Sequence, residues 1–382
     1  MNKYSDWSSD FTLGILGGGQ LGKMLLAETA RLGIKTAVLD PSADAPAQGR
    51  TNVFQVGDLK NYDDVLAFGR AVDLVTFEIE HINLEALDQL ASEGKTIRPS
   101  PQLLRTVCDK TAQKRFYVDN EIPTLPFVAF ENLKEMNEAN FGLPAVWKAA
   151  RGGYDGRGVQ ILRSDADTDN LPDVPGLLET FLEDNKEIAV LVARNSSGQT
   201  VCYDPVEMSF HPTANLVEYL ISPAIVEADV AERAKTIAEQ TAHAFDLVGI
   251  MAVEMFLTDD GLWVNEVAPR PHNSGHQTIE SHFVSQHEQH LRAILDLPLG
   301  STEARCPAVM INLLGGEQAG SPRYDGLSET LEIEGAYVHI YGKSETRPFR
   351  KMGHVTLLGN TGEEAMEKAQ FVREKLLVNA ND

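Results

Sequence analysis

The first apolar run, Thr12–Leu16, is short and strand-like, and it stops at Gly17-Gly18-Gly19-Gln20-Leu21-Gly22. Helical spacing follows over Lys23–Arg31, with Met24, Leu25 and the small residues Ala27 to Ala30 on one face and Gly33 at the C-cap position. A second apolar run, Ile34–Leu39, ends at Asp40. Strand, helix, strand in this order predicts a βαβ unit and a parallel sheet. The pattern repeats as strand Asn52–Val56, helix Asp63–Arg70, strand Leu74–Phe77 and helix Leu84–Ser92. Pro99 and Pro101 flank a serine and mark a unit boundary, giving a first unit over residues 1–101.

From there the periodicity changes. A helix is predicted over Gln102–Asn120, carrying Asp109, Lys110, Lys114 and Arg115. Short alternating stretches between Phe127 and Asn170 predict a small sheet interrupted by a glycine-rich loop, Gly152–Gly158. Ile188–Arg194 and Thr200–Phe210 read as hairpin strands around Asn195-Ser196-Ser197-Gly198. A long amphipathic helix covers Glu227–Phe245. Gly249–Thr258 and Leu262–Val267 form a hairpin across Asp259-Asp260-Gly261, and a helix over His287–Leu295 closes a second unit, residues 102–300. The third unit, residues 301–382, has short strands at Tyr337–Tyr341 and His354–Leu358 and a final helix, Gly362–Leu377. The expected fold class is α/β and α+β, with a small β-rich C-terminal domain.

Charge narrows the partners. Acids outnumber bases 56 to 33, for a net charge of −23, which argues against a nucleic-acid or membrane-surface partner. Cys108, Cys202 and Cys306 lie far apart, without metal or redox spacing, and fit a reducing compartment. The polar, acidic N-terminus does not read as a signal peptide, and there is no apolar run of membrane-spanning length. The expectation is a cytoplasmic enzyme.

Three segments carry chemistry. Gly17–Gly22 matches G-x-G-x-x-G between strand and helix, which places backbone amides where an anion binds, with Asp40 in position for a dinucleotide ribose. The same glycines also serve close packing of helix on strand. Lys148 ends a strand before Arg151-Gly152-Gly153-Tyr154-Asp155-Gly156-Arg157-Gly158, where four glycines in seven positions exclude regular structure. Such a loop folds over polyphosphate or is a surface hairpin. Glu254 and Glu266 each sit in an otherwise apolar strand, and the Asp259–Gly261 turn brings them to one face beside Asn265. Two carboxylates with phosphate oxygens suit Mg²⁺, whereas pairing of one with a lysine or arginine is the other way to bury them.

A lysine-bearing strand, a glycine-rich loop, a hinge glutamate and a Glu…Asn-Glu pair resemble the ATP-grasp superfamily from about Gln102 to Leu297, with a lid subdomain over about 125–185 and a Rossmann-like domain ahead. The resemblance implies ATP and Mg²⁺ as cofactors. It implies phosphate contacts at Lys110 and Lys148, and a nucleotide site that includes Gly153 to Val159. It further implies a hinge at Glu179-Thr180-Phe181-Leu182, a ribose ligand at Glu187, and metal on Glu254 and Glu266 with Asn265 alongside. His211 matches a nucleotide-side histidine once one gap is allowed, and equally fits an ordinary strand-end histidine.

Four further motifs are similar to those of N5-carboxyaminoimidazole ribonucleotide synthetases: Gly17–Gly22, Gly153–Gly158, Arg270-Pro271-His272-Asn273-Ser274-Gly275-His276 and Arg350-Lys351-Met352-Gly353-His354. This likeness implies bicarbonate and aminoimidazole ribonucleotide as substrates. Arg270, His272, Asn273 and Lys351 would be catalytic. Tyr154, Asp155 and Arg157 would reach the ribonucleotide from the loop. Lys343, Arg350, Lys351 and the Gly19 and Gln20 amides would hold its 5′-phosphate, with Glu78 near its base. A homodimer is expected from the same likeness. The competing readings are a formate-dependent glycinamide ribonucleotide enzyme, a dehydrogenase resting on Gly17–Gly22, and an ATP-binding regulator.

Overall fold

The computed structural model describes residues 10–152, 158–210 and 216–381. The first sheet has five parallel strands in the order Val53–Val56, Lys35–Asp40, Thr12–Leu16, Leu74–Phe77, Thr96–Ile97. Its central strands are buried on both faces, which is why Leu13–Leu16 and Leu74–Phe77 are apolar apart from Thr76, whose hydroxyl is bonded to the His290 ring. One face packs Leu16, Leu39 and Phe77 against Phe68, Leu87 and Leu90. The other packs Leu13, Ile15 and Val38 against Leu25 and Leu26, and also against Leu291 and Ile294 of the helix Gln286–Ile294 and its C-cap Leu295. A helix from the middle of the chain therefore completes the core of the first sheet.

The predicted helix Gln102–Asn120 is two helices, Pro101–Val107 and Lys110–Asp119. Asp109 breaks it: its backbone is extended (φ −128°), and its carboxylate caps the second helix by accepting the Ala112 amide at 3.0 Å. The break sets Lys110 at the start of a new helix.

A nine-stranded antiparallel sheet runs Gly261–Ala268, Gly249–Thr258, Lys186–Arg194, Val206–Phe210, Val217–Ser222, Ala308–Leu314, Lys351–Leu358, Ala336–Ile340, with Thr200–Cys202 pairing the end of Lys186–Arg194 on the same edge as Val206–Phe210. The predicted single strand Thr200–Phe210 is thus divided, at a stretch containing Pro205, which has no N–H for a ladder. The C-terminal strands continue the sheet of the middle unit through the pairing of Val217–Ser222 with Ala308–Leu314. Helix Ala228–Ala244 covers one face with Ala234, Ala238 and Ala242. A separate four-stranded sheet orders Phe127–Phe130, Gly176–Thr180, Ala145–Ala149 and Val159–Leu162, and the glycine-rich loop joins the last two.

Candidate active site

Glu254 and Glu266 are direct cross-strand partners, so both carboxylates stand on one face of the sheet. Lys110 reaches Glu266 Oε2 at 2.5 Å, and His272 Nε2 lies 3.6 Å from Glu254 Oε1. Lys110 holds Glu266 well below the usual carboxylate range, while burial and the charge of Glu266 push Glu254 up. The Glu266 side chain retains 44% of its accessible surface, so it faces an open cleft despite its walls.

The cations come from two elements, the helix Lys110–Asp119 and the strand Ala145–Ala149. Lys148 Nζ, from strand Ala145–Ala149, bonds Asn265 Oδ1 at 2.9 Å and Glu179 Oε2 at 2.6 Å. Lys114 bonds the other Glu179 oxygen and Thr124 Oγ1. Although burial opposes the charge of Glu179, its two lysines hold it low. Burial brings Lys114 down to about 8. Lys110, Lys114, Lys148 and Asn265 enclose a space of about 10 Å³. Lys114 was given no role by the motifs, although it follows Lys110 by one helical turn and so shares its face. Glu187, on strand Lys186–Arg194, is pushed up to about 7 by burial, against the pull of Lys148. The Glu179 side chain is turned away from solvent, and Thr180 is tied by its amide to Pro126 O, with Phe181 under the Arg163 guanidinium at 5.1 Å. Leu182 follows directly after that strand.

On the other side of Glu254 lies the loop after strand Gly261–Ala268. Arg270 pairs with Glu80 at 2.7 Å. The His272 imidazole bonds Ser274 Oγ at 2.9 Å and is brought down to about 3, by burial and by the nearby charges of Arg270 and Lys351. Gln286 grips the His272 backbone twice, Oε1 accepting its amide and Nε2 donating to its carbonyl, each at 2.8 Å. A Cβ on Gly275 would stand 2.4 Å from Gln286 Oε1, so the approach requires glycine there. Asn273 Nδ2 is buried and has no hydrogen-bond partner among the described residues.

Lys343, Arg350 and Lys351 form one basic cluster. Lys343 Nζ donates to Lys351 O at 2.6 Å, and burial and the Arg350 charge bring it down to about 8. Arg350 reaches Glu345 O at 2.7 Å. Lys23 bridges from the first helix to Ile340 O and Tyr341 O, joining this end of the chain to the first sheet.

The amides of the glycine loop meet two carboxylates of the chain. Gly19 and Gly22 amides donate to the two Glu78 oxygens at 2.6 and 2.8 Å, and the Gly18 amide donates to Asp40 at 2.7 Å. In the protein alone, carboxylates of the chain thus sit on these amides. A Cβ at Gly17 or Gly19 would lie 2.6 Å from the Glu78 side chain, so these glycines admit Glu78. Gln20 begins the helix Gln20–Arg31. Gly153, Tyr154, Asp155, Gly156, Arg157 and His211 lie outside the described residues. Gly158 and Val159 resume the chain, Gly158 O accepting the Ala149 amide at 2.9 Å.

Comparison with known proteins matches three successive stretches of the chain. Residues 11–108 match the ribonucleotide synthetase preATP-grasp domain, 115–287 the ATP-grasp domain, and 308–368 the phosphoribosylaminoimidazole carboxylase C-terminal domain. The N5-carboxyaminoimidazole ribonucleotide synthase of Synechococcus elongatus is 36% identical, over 95% of this chain and 93% of that protein. The chain belongs to the N5-carboxyaminoimidazole ribonucleotide synthase family. The synthetase structure from Thermotoga maritima is 43% identical with a TM-score of 0.89, covering 97% of this chain and 100% of that one. The Aspergillus clavatus synthase, solved with ADP and 5-aminoimidazole ribonucleotide, is 33% identical with a TM-score of 0.87, covering 96% and 98%. The chain spans 66% of the length of the phosphoribosylaminoimidazole carboxylase of Candida glabrata, at 36% identity over 94% of this chain. The synthase family accounts for the mixed architecture, a parallel-sheet domain ahead of an ATP-grasp.

Proposed function

We propose that the chain uses ATP to join bicarbonate to the amine of aminoimidazole ribonucleotide, giving ADP, phosphate and N5-carboxyaminoimidazole ribonucleotide through carboxyphosphate. The observation that carries this reading is the position of Glu254. It stands between the lysine-lined face around Glu266 and the His272–Asn273 loop, so a nucleotide half and an acceptor half meet at one carboxylate.

A bicarbonate oxygen would attack the γ-phosphorus as the bond to ADP breaks. Phosphoryl transfer needs mostly positioning and fixed charge. Lys110 and Lys148 supply that charge, held in place by Glu266, Glu179 and Asn265. The amine nitrogen would then attack the carboxyl carbon while its bond to phosphate breaks, and phosphate leaves with the amine proton. The Asn273 amide and the neutral His272 face this end; because His272 Nδ1 accepts the Ser274 amide, its Nε2 carries the proton and can donate to a carboxyl oxygen. Lys343, Arg350 and Lys351 supply cations for the 5′-phosphate.

The donor set fits Mg²⁺. Glu254 and Glu266 offer two carboxylates, and no group of three or more His, Cys, Asp or Glu suited to a metal occurs among the described residues. Mg²⁺ takes one or two carboxylates and completes its shell with phosphate oxygens and water. When bound, it would neutralise the phosphate charge.

Among the described residues no helix is long and apolar enough to cross a membrane. A cytoplasmic homodimer is proposed alongside the activity, and sedimentation of the purified chain tests the dimer. The activity is tested by ADP release with Mg²⁺ and ATP. Release that requires both bicarbonate and the ribonucleotide is expected, and release driven by formate and glycinamide ribonucleotide would overturn the reading.

A further inference from the structure

Two motifs far apart in sequence end in histidines that meet ring on ring. His276 closes the catalytic loop, and His354 follows three residues after Lys351. Their ring centroids are 4.5 Å apart at 26°. His339 lies on the other side of His354, at 4.3 Å and 11°, and is its direct cross-strand partner. His276 and His354 are 1% and 0% exposed. Neither reaches the cleft, so their place in the motifs is not explained by contact with substrate.

Each ring is tied to a functional group by a short rigid link. Gln286 Nε2, which donates to the His272 carbonyl, also donates to His276 Nδ1 at 3.1 Å. On the opposite side, strict alternation would put Lys351 and His354 on different faces of their strand. The register slips by one residue between Leu313 and Leu314, opposite Met352. Met352 turns into the core with Val355 and Leu357, which leaves Lys351 on the His354 face. Tyr341, hydrogen-bonded through its hydroxyl to His354 Nδ1 at 3.1 Å, and His339, bonded to Glu280 at 2.7 Å, fix the orientation of the stack.

We propose that the His276–His354 stack is a positioning device that fixes the separation between the His272–Asn273 loop and Lys351, so that the activated carboxyl group and the ribonucleotide amine meet before water intervenes. The inference rests on the reading proposed above. The rings meet face to face, which does not pass a proton between their nitrogens, so the role is geometric. Glu280, His287, Tyr341 and Gln286 surround the stack, and burial holds His276 and His354 neutral.

The test is the ratio of ADP released to bicarbonate carbon incorporated, with KM for each substrate. Wild-type enzyme must first show incorporation, and its absence would sink the functional reading and not the stack. H354L removes the stack. It is expected to raise the ADP-to-carbamate ratio several-fold and KM for the ribonucleotide by about tenfold, with KM for ATP within twofold. H354F keeps a flat ring and is expected to restore most of the coupling. H276L repeats the test from the other side. A folded H354L or H276L with the wild-type ratio overturns the proposal. So does failure of both leucine variants to fold while H354F folds, because the stack would then serve folding alone.

Discussion

Glu254 and Glu266 occupy the same cross-strand position, yet their environments drive them apart: Lys110 touches Glu266, whereas Glu254 has the neutral His272 at 3.6 Å and feels Lys110 and Lys351 more weakly than its own burial. One carboxyl is held ionised, and the other is pushed towards its protonated form until a cation arrives. The pair is therefore an incomplete charge balance in the protein alone.

Replacing Glu266 by Gln removes the charge that holds Lys110. Turnover is expected to fall at least about 100-fold, the scale for loss of a charge-stabilising group. Circular dichroism should show the native fold. Full activity of Glu266→Gln would remove this residue from the mechanism.

Lys351 stands in the basic cluster and is felt electrostatically at both His272 and Glu254. Lys351→Ala is expected to raise KM for the ribonucleotide about tenfold or more and to change KM for ATP much less. Steady-state kinetics with each substrate varied in turn would show this, and equal effects on both would argue against a phosphate role.

Glu179 is 1% exposed and neutralises two buried lysines. Glu179→Gln leaves Lys114 and Lys148 facing each other, and breaking a buried ion pair in this way costs about 3–5 kcal/mol. Urea unfolding should register that loss, together with weaker ATP binding. A midpoint within experimental error of wild type would contradict the burial argument.

Acid should destabilise the fold before its low-lying carboxylates titrate. Burial brings His287 and His290 down to about 3 and His282 to about 4, and His272, His276 and His354 are lowered with them. An unfolded histidine takes up its proton near about 6.5. Below that pH the unfolded chain binds more protons, so stability present above it is lost as pH falls, by up to about 1.4 kcal/mol per histidine per unit. Glu78, Glu187 and Glu254 are raised by burial and work in the opposite sense, but they are fewer. Urea midpoints at pH 7 and 5.5 are expected to differ, the lower belonging to pH 5.5.

The parallel sheet, the Glu254–Glu266 face and the basic cluster were legible because each leaves a local signature: continuous apolar runs, acids within apolar strands, and cations against an acidic background. Gln286 left none, and Lys114 only its one-turn spacing from Lys110. The role of the lysine is read through its partner Glu179, and Gln286 acts at a distance in sequence on His272. The Gly17–Gly22 spacing marks amides suited to an anion without showing that Glu78 and Asp40 sit on them in the protein alone. Asp109 does carry a helix-capping residue type, but the unbroken apolar spacing around it concealed the break that sets Lys110.

The nine-stranded sheet gives the last 82 residues a protective duty. A chain shortened after residue 300 would keep the Glu254–Glu266 face but strip Val217–Ser222 of its neighbour Ala308–Leu314. That strand would become a raw edge with a row of unsatisfied backbone groups, an invitation to pair with another molecule. Trimming the enzyme to its nucleotide-handling portion would thus yield a self-associating fragment before it yielded a smaller catalyst.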